Sequence, residues 1–145
     1  MTGVQTCALP ILAGLGRIKT NLDSGVFQAI QEAGIEALTG PQDCVAHHCK
    51  VYQERRDVLV DGLLAAGFEV QRPKASFYVW IAVPRGVSSA DLTKRLLAEA
   101  GIVMTPGNGF GEHGEGYVRA ALTLDVARIR EAVHRIHRLK LHPAR

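Results

Sequence analysis

Five glycines crowd into ten residues, Gly107, Gly109, Gly111, Gly114 and Gly116, and the chain then runs straight into the apolar stretch Tyr117 to Leu122. Glycine lacks a Cβ, so such a run makes a tight loop and not the interior of an element. The residues after it read as a strand, in which successive side chains face opposite ways. Val118, Ala120 and Leu122 form an all-apolar face suited to a core, and Tyr117, Arg119 and Ala121 form the other. The fold must therefore set a loop of close backbone approach beside one strand arginine. A guanidinium offers two parallel N–H donors to the two oxygens of a carboxylate, a geometry that lysine does not copy. On spacing alone Arg119 has two readings: a ligand for a small carboxylate, or a strand arginine paired with Glu112 or Glu115.

Composition narrows the classes. A length of 145 residues is that of one domain, and 47% apolar with 21% charged residues is ordinary for a globular protein with a core. The net charge of +3 is modest, and its positive end, Arg128 to Arg145, has no interleaved aromatics. That stretch reads as the solvated face of a helix, which sets nucleic acid aside. Three cysteines, Cys7, Cys44 and Cys49, make no disulfide framework and fit a reducing cytoplasm. No apolar run approaches the ~20 residues of a membrane span. Cys44 and His48 stand at i, i+4, but no second pair completes a metal site, so packing is the reading there. The G-x-G-x-x-G run from Gly109 to Gly114 is followed by a strand, whereas a dinucleotide fingerprint must open a helix.

The periodicity predicts an order of elements. Met1 to Ile11 carries no charge and no period, and resembles a translated sequencing-adaptor scar. Residues 1–11 are read as non-native and set aside. Residues 12–41 form a helical lead-in, broken at Asn21, Asp23, Ser24 and Gly25, with Asp23 or Ser24 capping a second helix. Val26, Ile30, Ile35 and Leu38 hold one broad face of that helix, and Gly40-Pro41 ends it. A longer helix spans about residues 42–66, with Val45, Cys49, Tyr52, Leu59 and Leu63 at helical spacing and Gly67 as its cap. The period then switches. Phe68 to Val70 reads as a short strand, and Phe77 to Val83, apolar on both faces, as a buried central strand. Ser88 and Asp91 have capping-box spacing for a helix buried through Leu92, Leu96 and Ala100. Ile102 to Met104 reads as a strand, and the last helix runs from about Leu124 to Lys140. The product is a two-layer α+β domain over residues 42–145, with helices on one face of a small mixed sheet.

Several of these stretches together resemble one family. The loop Pro106-Gly107-Asn108-Gly109-Phe110-Gly111 followed by Gly116-Tyr117-Val118-Arg119 is similar to the glycine-aromatic-glycine loop and strand arginine of pyridoxal-phosphate aminotransferases. Tyr52 with Arg55-Arg56-Asp57 resembles their Y..RRD helix, and Pro73-Lys74-Ala75-Ser76-Phe77-Tyr78-Val79-Trp80 their P..(S/T)FY(L/V)W strand. Lys19-Thr20-Asn21-Leu22-Asp23-Ser24-Gly25 looks like the stretch that follows the cofactor lysine's region. Within the family the likeness is greatest to the alanine and LL-diaminopimelate aminotransferases.

The resemblance implies the small C-terminal domain of the aspartate aminotransferase-like fold. It implies a cytoplasmic homodimeric enzyme of amino acid biosynthesis that passes an amino group from an α-amino acid to a 2-oxo acid. Arg119 would bind the substrate's α-carboxylate, and Asn21 would reach toward the neighbouring subunit's site. Pyridoxal 5'-phosphate would be the cofactor, yet none of Lys19, Lys50, Lys74, Lys94 and Lys140 lies in the Ser-x-x-Lys type of context the family uses. No catalytic or cofactor-binding residue is therefore assigned, and the chain reads as a fragment that is inactive alone. Two other readings stand beside this one: a fragment of a lyase or synthase of the same fold, and a stand-alone carboxylate-binding module.

Overall fold

The computed structural model describes residues 3–22 and 25–141. The chain divides into two compact units, Met1–Asp43 and Cys44–Arg145. The first holds α1 (Gly3–Leu22) and α2 (Gln28–Thr39). Helix α1 runs back through Pro10 into the stretch set aside on sequence. Asn21, expected at the break, still belongs to α1, while Asp23 and Ser24, the expected caps, lie outside the described residues. The cap of α2 is Phe27, with no side-chain bond, and Gly40 follows the helix end. The apolar face of α2 exists but is not a core of this chain, since Val26, Ile30, Ile35 and Leu38 are all exposed.

The second unit is the α+β layer pair. Helix α3 (Asp43–Ala65) ends in a Schellman turn, in which Phe68 N–H reaches Leu63 O and Gly67 N–H reaches Leu64 O. Gly67 has the positive φ, 84°, that this turn needs. Strands β1 (Tyr78–Ala82), β2 (Thr105–Pro106) and β3 (Tyr117–Ala121) form a sheet in the order β1-β3-β2. Every pairing is antiparallel, so the expected mixed sheet is an antiparallel one. Trp80 and Thr105 flank Arg119 from the two sides.

Three strand expectations change. The central strand is β3; β1 is bounded on its outer side only by the bridge between Val70 and Ile81. The stretch Phe68 to Val70 makes that single bridge and no strand of its own. The strand expected at Ile102 to Met104 lies just beyond it, at Thr105–Pro106.

Helix α4 (Ser89–Ala100) begins at the foreseen box: Ser88 Oγ accepts from Asp91 N–H at 3.0 Å and donates to Asp91 Oδ2 at 2.7 Å. Asp125 caps α5 (Val126–Arg138) by accepting from Arg128 N–H. The core lies on one sheet face. Val79, Ile81, Val118 and Ala120 meet Leu59, Val60 and Leu63 of α3, Leu92 and Leu96 of α4, and Ile129 and Ile136 of α5. Helices α3 and α5 approach closely at Gly62, where a Cβ would collide with Val133.

Leu63 is 1% exposed and its neighbour Leu64 is 48% exposed. Truncating a buried leucine removes transfer energy and leaves a cavity, at about 2–5 kcal/mol. Leu63→Ala is therefore expected to lower unfolding free energy in urea by that amount, and Leu64→Ala by less than about 1 kcal/mol. Equal losses would place the wrong face of α3 on the sheet.

Candidate functional site

Strand alternation decides what Arg119 meets. Its neighbours Val118 and Ala120 are buried, so Arg119 projects from the opposite face of β3 with Tyr117 and Ala121. Tyr78 and Trp80 of β1 lie on that same open face. Trp80 is the direct cross-strand partner of Arg119, and Tyr78 is the diagonal one, two residues along. The guanidinium carbon lies 3.9 Å from the centroid of the Tyr78 ring and 4.2 Å from that of Phe110. Trp80 packs edge-on against Phe110, at 5.3 Å between centroids. Cation–π contacts of this kind contribute about 0.5–1 kcal/mol each where solvent reaches them.

Among the described residues, Arg119 makes no side-chain hydrogen bond and no ion pair. The ion-pair reading thus loses its partner. Glu115 is committed elsewhere: its carboxylate accepts from Ser89 N–H at 2.8 Å and from Ser89 Oγ at 2.7 Å. Glu112 stands exposed, in no ion pair with a described residue.

Phe110 reaches the arginine because the loop folds back on itself. Two 3₁₀ turns, Gly107–Phe110 and Glu112–Gly114, bring Gly107 against Gly114. A Cβ on Gly107 would overlap the carbonyl oxygens of Gly114 and Tyr117, and one on Gly114 would overlap that of Gly107. The backbone contact itself requires both glycines. The loop is also tied to the first turn of α4. Ser89 is completely buried, and its hydroxyl, besides donating to Glu115, accepts from Asn108 N–H at 3.4 Å. A carboxylate at a helix N-terminus satisfies an orphan N–H and meets the positive end of the helix dipole. The Ser89 N–H, then the Ser89 hydroxyl and the Gly116 N–H, hold the Glu115 carboxyl below its ordinary value of 4.5. No local pattern announces this clasp, which joins residues 26 apart. The stacking had a visible signal, an aromatic between two glycines beside a strand arginine.

Two clefts of this unit border the elements just described. One, of about 770 Å³, is walled by Tyr78, Trp80, Ala82 and Tyr117, and so begins at the ring that stacks on Arg119. The other, of about 430 Å³, lies between α3 and residues 73–77, with Cys49, Tyr52, Arg56 and Phe77 in its walls.

The Tyr52-Arg55-Arg56-Asp57 motif anchors α3. Arg55 donates to Leu122 O at 3.0 Å and Arg56 to Pro73 O at 3.2 Å. Arg56 and Arg72 both bond Asp57, and Arg72 also bonds Asp61. The Arg56 guanidinium, with that of Arg72 behind it, holds the Asp57 carboxyl below its ordinary range.

Asn21, the second expected substrate residue, lies on α1 in the other unit, where its amide donates to Arg17 O at 2.8 Å. Among the described residues no three His, Cys, Asp or Glu side chains gather as a metal site. No described helix is long and apolar enough to cross a membrane. All five lysines are exposed, so none is enclosed as a carrier of an aldehyde cofactor. The residues of this chain do not by themselves fit pyridoxal phosphate.

Comparison with known proteins shows the family of the chain. The family model for aminotransferase class I and II matches residues 3–136. An LL-diaminopimelate aminotransferase of Moorella thermoacetica is 52% identical over 129 residues, which are 89% of this chain and 33% of the relative. The corresponding enzyme of Syntrophobacter fumaroxidans is 55% identical over the same shares. Among solved structures, the L,L-diaminopimelate aminotransferase of Chlamydomonas reinhardtii superposes with a TM-score of 0.77 at 30% identity, over 89% of this chain and 32% of that one. The chain spans about a third of the length of the curated relatives it matches.

The Ser89–Glu115 clasp has a pH signature. The carboxyl is held low in the folded state, so its stabilisation is present above 4.5 and drains away as pH falls through the lowered folded value. Glu115→Gln is expected to lower the melting temperature most at about pH 6–7, with the gap to wild type closing as the pH falls below 4.5. A gap independent of pH would show that the carboxylate charge plays no part.

Proposed function

Because the chain belongs to the aminotransferase class I and II family, we propose that it is the C-terminal part of an enzyme that passes an amino group from an α-amino acid to a 2-oxo acid. The amino donor proposed is LL-diaminopimelate, after the relatives that are more than half identical to it. In this reading Arg119 takes the donor's α-carboxylate. The observation that carries it is a strand guanidinium held by two aromatic rings, with its N–H groups bonded to no described residue. Among the described residues its donors are committed to nothing, and no acid forms an ion pair with it.

Pyridoxal phosphate is proposed as the cofactor of the whole enzyme, where it would serve as electron sink for the carbon that loses its proton. Its attachment is assigned to the two-thirds of the relatives that this chain does not span. Residues 1–11 are proposed as non-native, 12–41 as the lead-in to the small domain, and 42–145 as that domain. A cytoplasmic homodimer, with Asn21 near the partner's site, completes the proposal. The chain alone is expected to lack transaminase activity; a stoichiometric, borohydride-trappable adduct with pyridoxal phosphate would contradict that.

The carboxylate assignment is tested in a chimera. Residues 12–141 replace the matching third of the Moorella thermoacetica enzyme. The chimera is expected to transaminate LL-diaminopimelate. Arg119→Lys keeps the charge and loses the fork, and a charged hydrogen bond of roughly 1.5–3 kcal/mol corresponds to a loss in kcat/KM of about ten- to a hundredfold. An unchanged kcat/KM would remove Arg119 from the site.

A further inference from the structure

We infer that Tyr78 and Phe110 are positioning residues for Arg119, holding its guanidinium by the ring faces so that its in-plane N–H edge stays fixed and uncommitted for a ligand carboxylate. The inference rests on the reading of Arg119 as a carboxylate ligand. It adds what orients that ligand and why no acid does so.

An arginine in a protein is commonly held by a carboxylate, and that carboxylate then competes with any anion that arrives. Here the restraint comes from π faces, which attract the cation without using an N–H donor. The two rings make no contact with each other among the described residues, while each lies within 4.2 Å of the guanidinium carbon. Two separate rings therefore bear on the one guanidinium, while no described residue takes its N–H groups.

Each ring is itself held. Tyr78 belongs to β1, paired across to Ala121, and packs against Phe77 at 4.4 Å between centroids. Phe110 rides on the loop that the Gly107–Gly114 contact closes and Ser89 ties down, with Trp80 at its edge. Both acids of the loop stay off the guanidinium, Glu115 because Ser89 occupies it and Glu112 because it stands exposed in no ion pair with a described residue.

The test reads the side chain directly. In the 145-residue chain, ¹⁵N relaxation of the Arg119 Nε–H vector is compared with those of Arg128 and Arg130 on the exposed face of α5. The expected order parameter for Arg119 is about 0.8, near that of a rigid group, with the other two below about 0.6. Equal mobility of all three in the wild type overturns the inference without any variant. Phe110→Leu and Tyr78→Leu are expected to drop Arg119 below about 0.6 while leaving the amide spectrum of α3 and α4 in place, and Phe110→Tyr to restore it. Order retained in both leucine variants also overturns it.

Acetate is the ligand probe, titrated against chloride at matched ionic strength. Wild type is expected to show a saturable shift of the Arg119 Nε–H resonance, and Phe110→Leu to bind acetate at least threefold more weakly. An ordered Arg119 that ignores acetate would uphold the positioning role and refute the carboxylate reading, so the two failures are told apart.

Discussion

The glycine loop has no room for a Cβ where it crosses itself, and this steric constraint delivers an aromatic ring onto an arginine. Gly107 and Gly114 meet backbone to backbone, so the ten residues between Pro106 and Tyr117 close into a compact flap instead of trailing over the surface. Ser89, buried at the first turn of α4, fastens the flap through Glu115 and Asn108. Phe110 then lies against the guanidinium that β3 presents. A surface arginine without such restraint would spend its donors on the nearest acid. Here both loop acids are kept away, and among the described residues no other acid pairs with it.

Helices were largely legible because their signals are local. Leu59 and Leu63 gave the buried face of α3, Gly67 its end, and Ser88 with Asp91 the start of α4. The sheet was less legible because strand order is a matter of distant partners. Phe77 to Val83 looked like a central strand, since Tyr78 and Trp80 made its second face apolar. Those rings serve the open face around Arg119 and cover no core, so β1 is not the middle of the sheet. The strand expected at Ile102 had the right composition but formed at Thr105, where its backbone faces Arg119 in register.

The candidate site was half readable. Arg119 and its face followed from alternation, and β3 carries that pattern through. Whether it paired with Glu115 did not follow, because the competitor for that carboxylate is Ser89, far away in sequence and adjacent in space. The Tyr52 to Asp57 stretch matched a family pattern, yet in this structure it fixes α3 to Leu122 and Pro73 by hydrogen bonds and so serves architecture. In the first unit, the apolar faces of α1 and α2 are exposed, which fits a chain that spans a third of its relatives' length.

Everything functional proposed for this chain rests on the Arg119 edge meeting an acid group from solution. The most direct measurement is a crystal structure of the chain with acetate bound. Both oxygens are predicted to lie about 2.7–2.9 Å from Arg119 nitrogens, in the guanidinium plane, with Tyr78 and Phe110 still against its faces. An Arg119 turned onto Glu112, with acetate absent from its edge, would contradict the account.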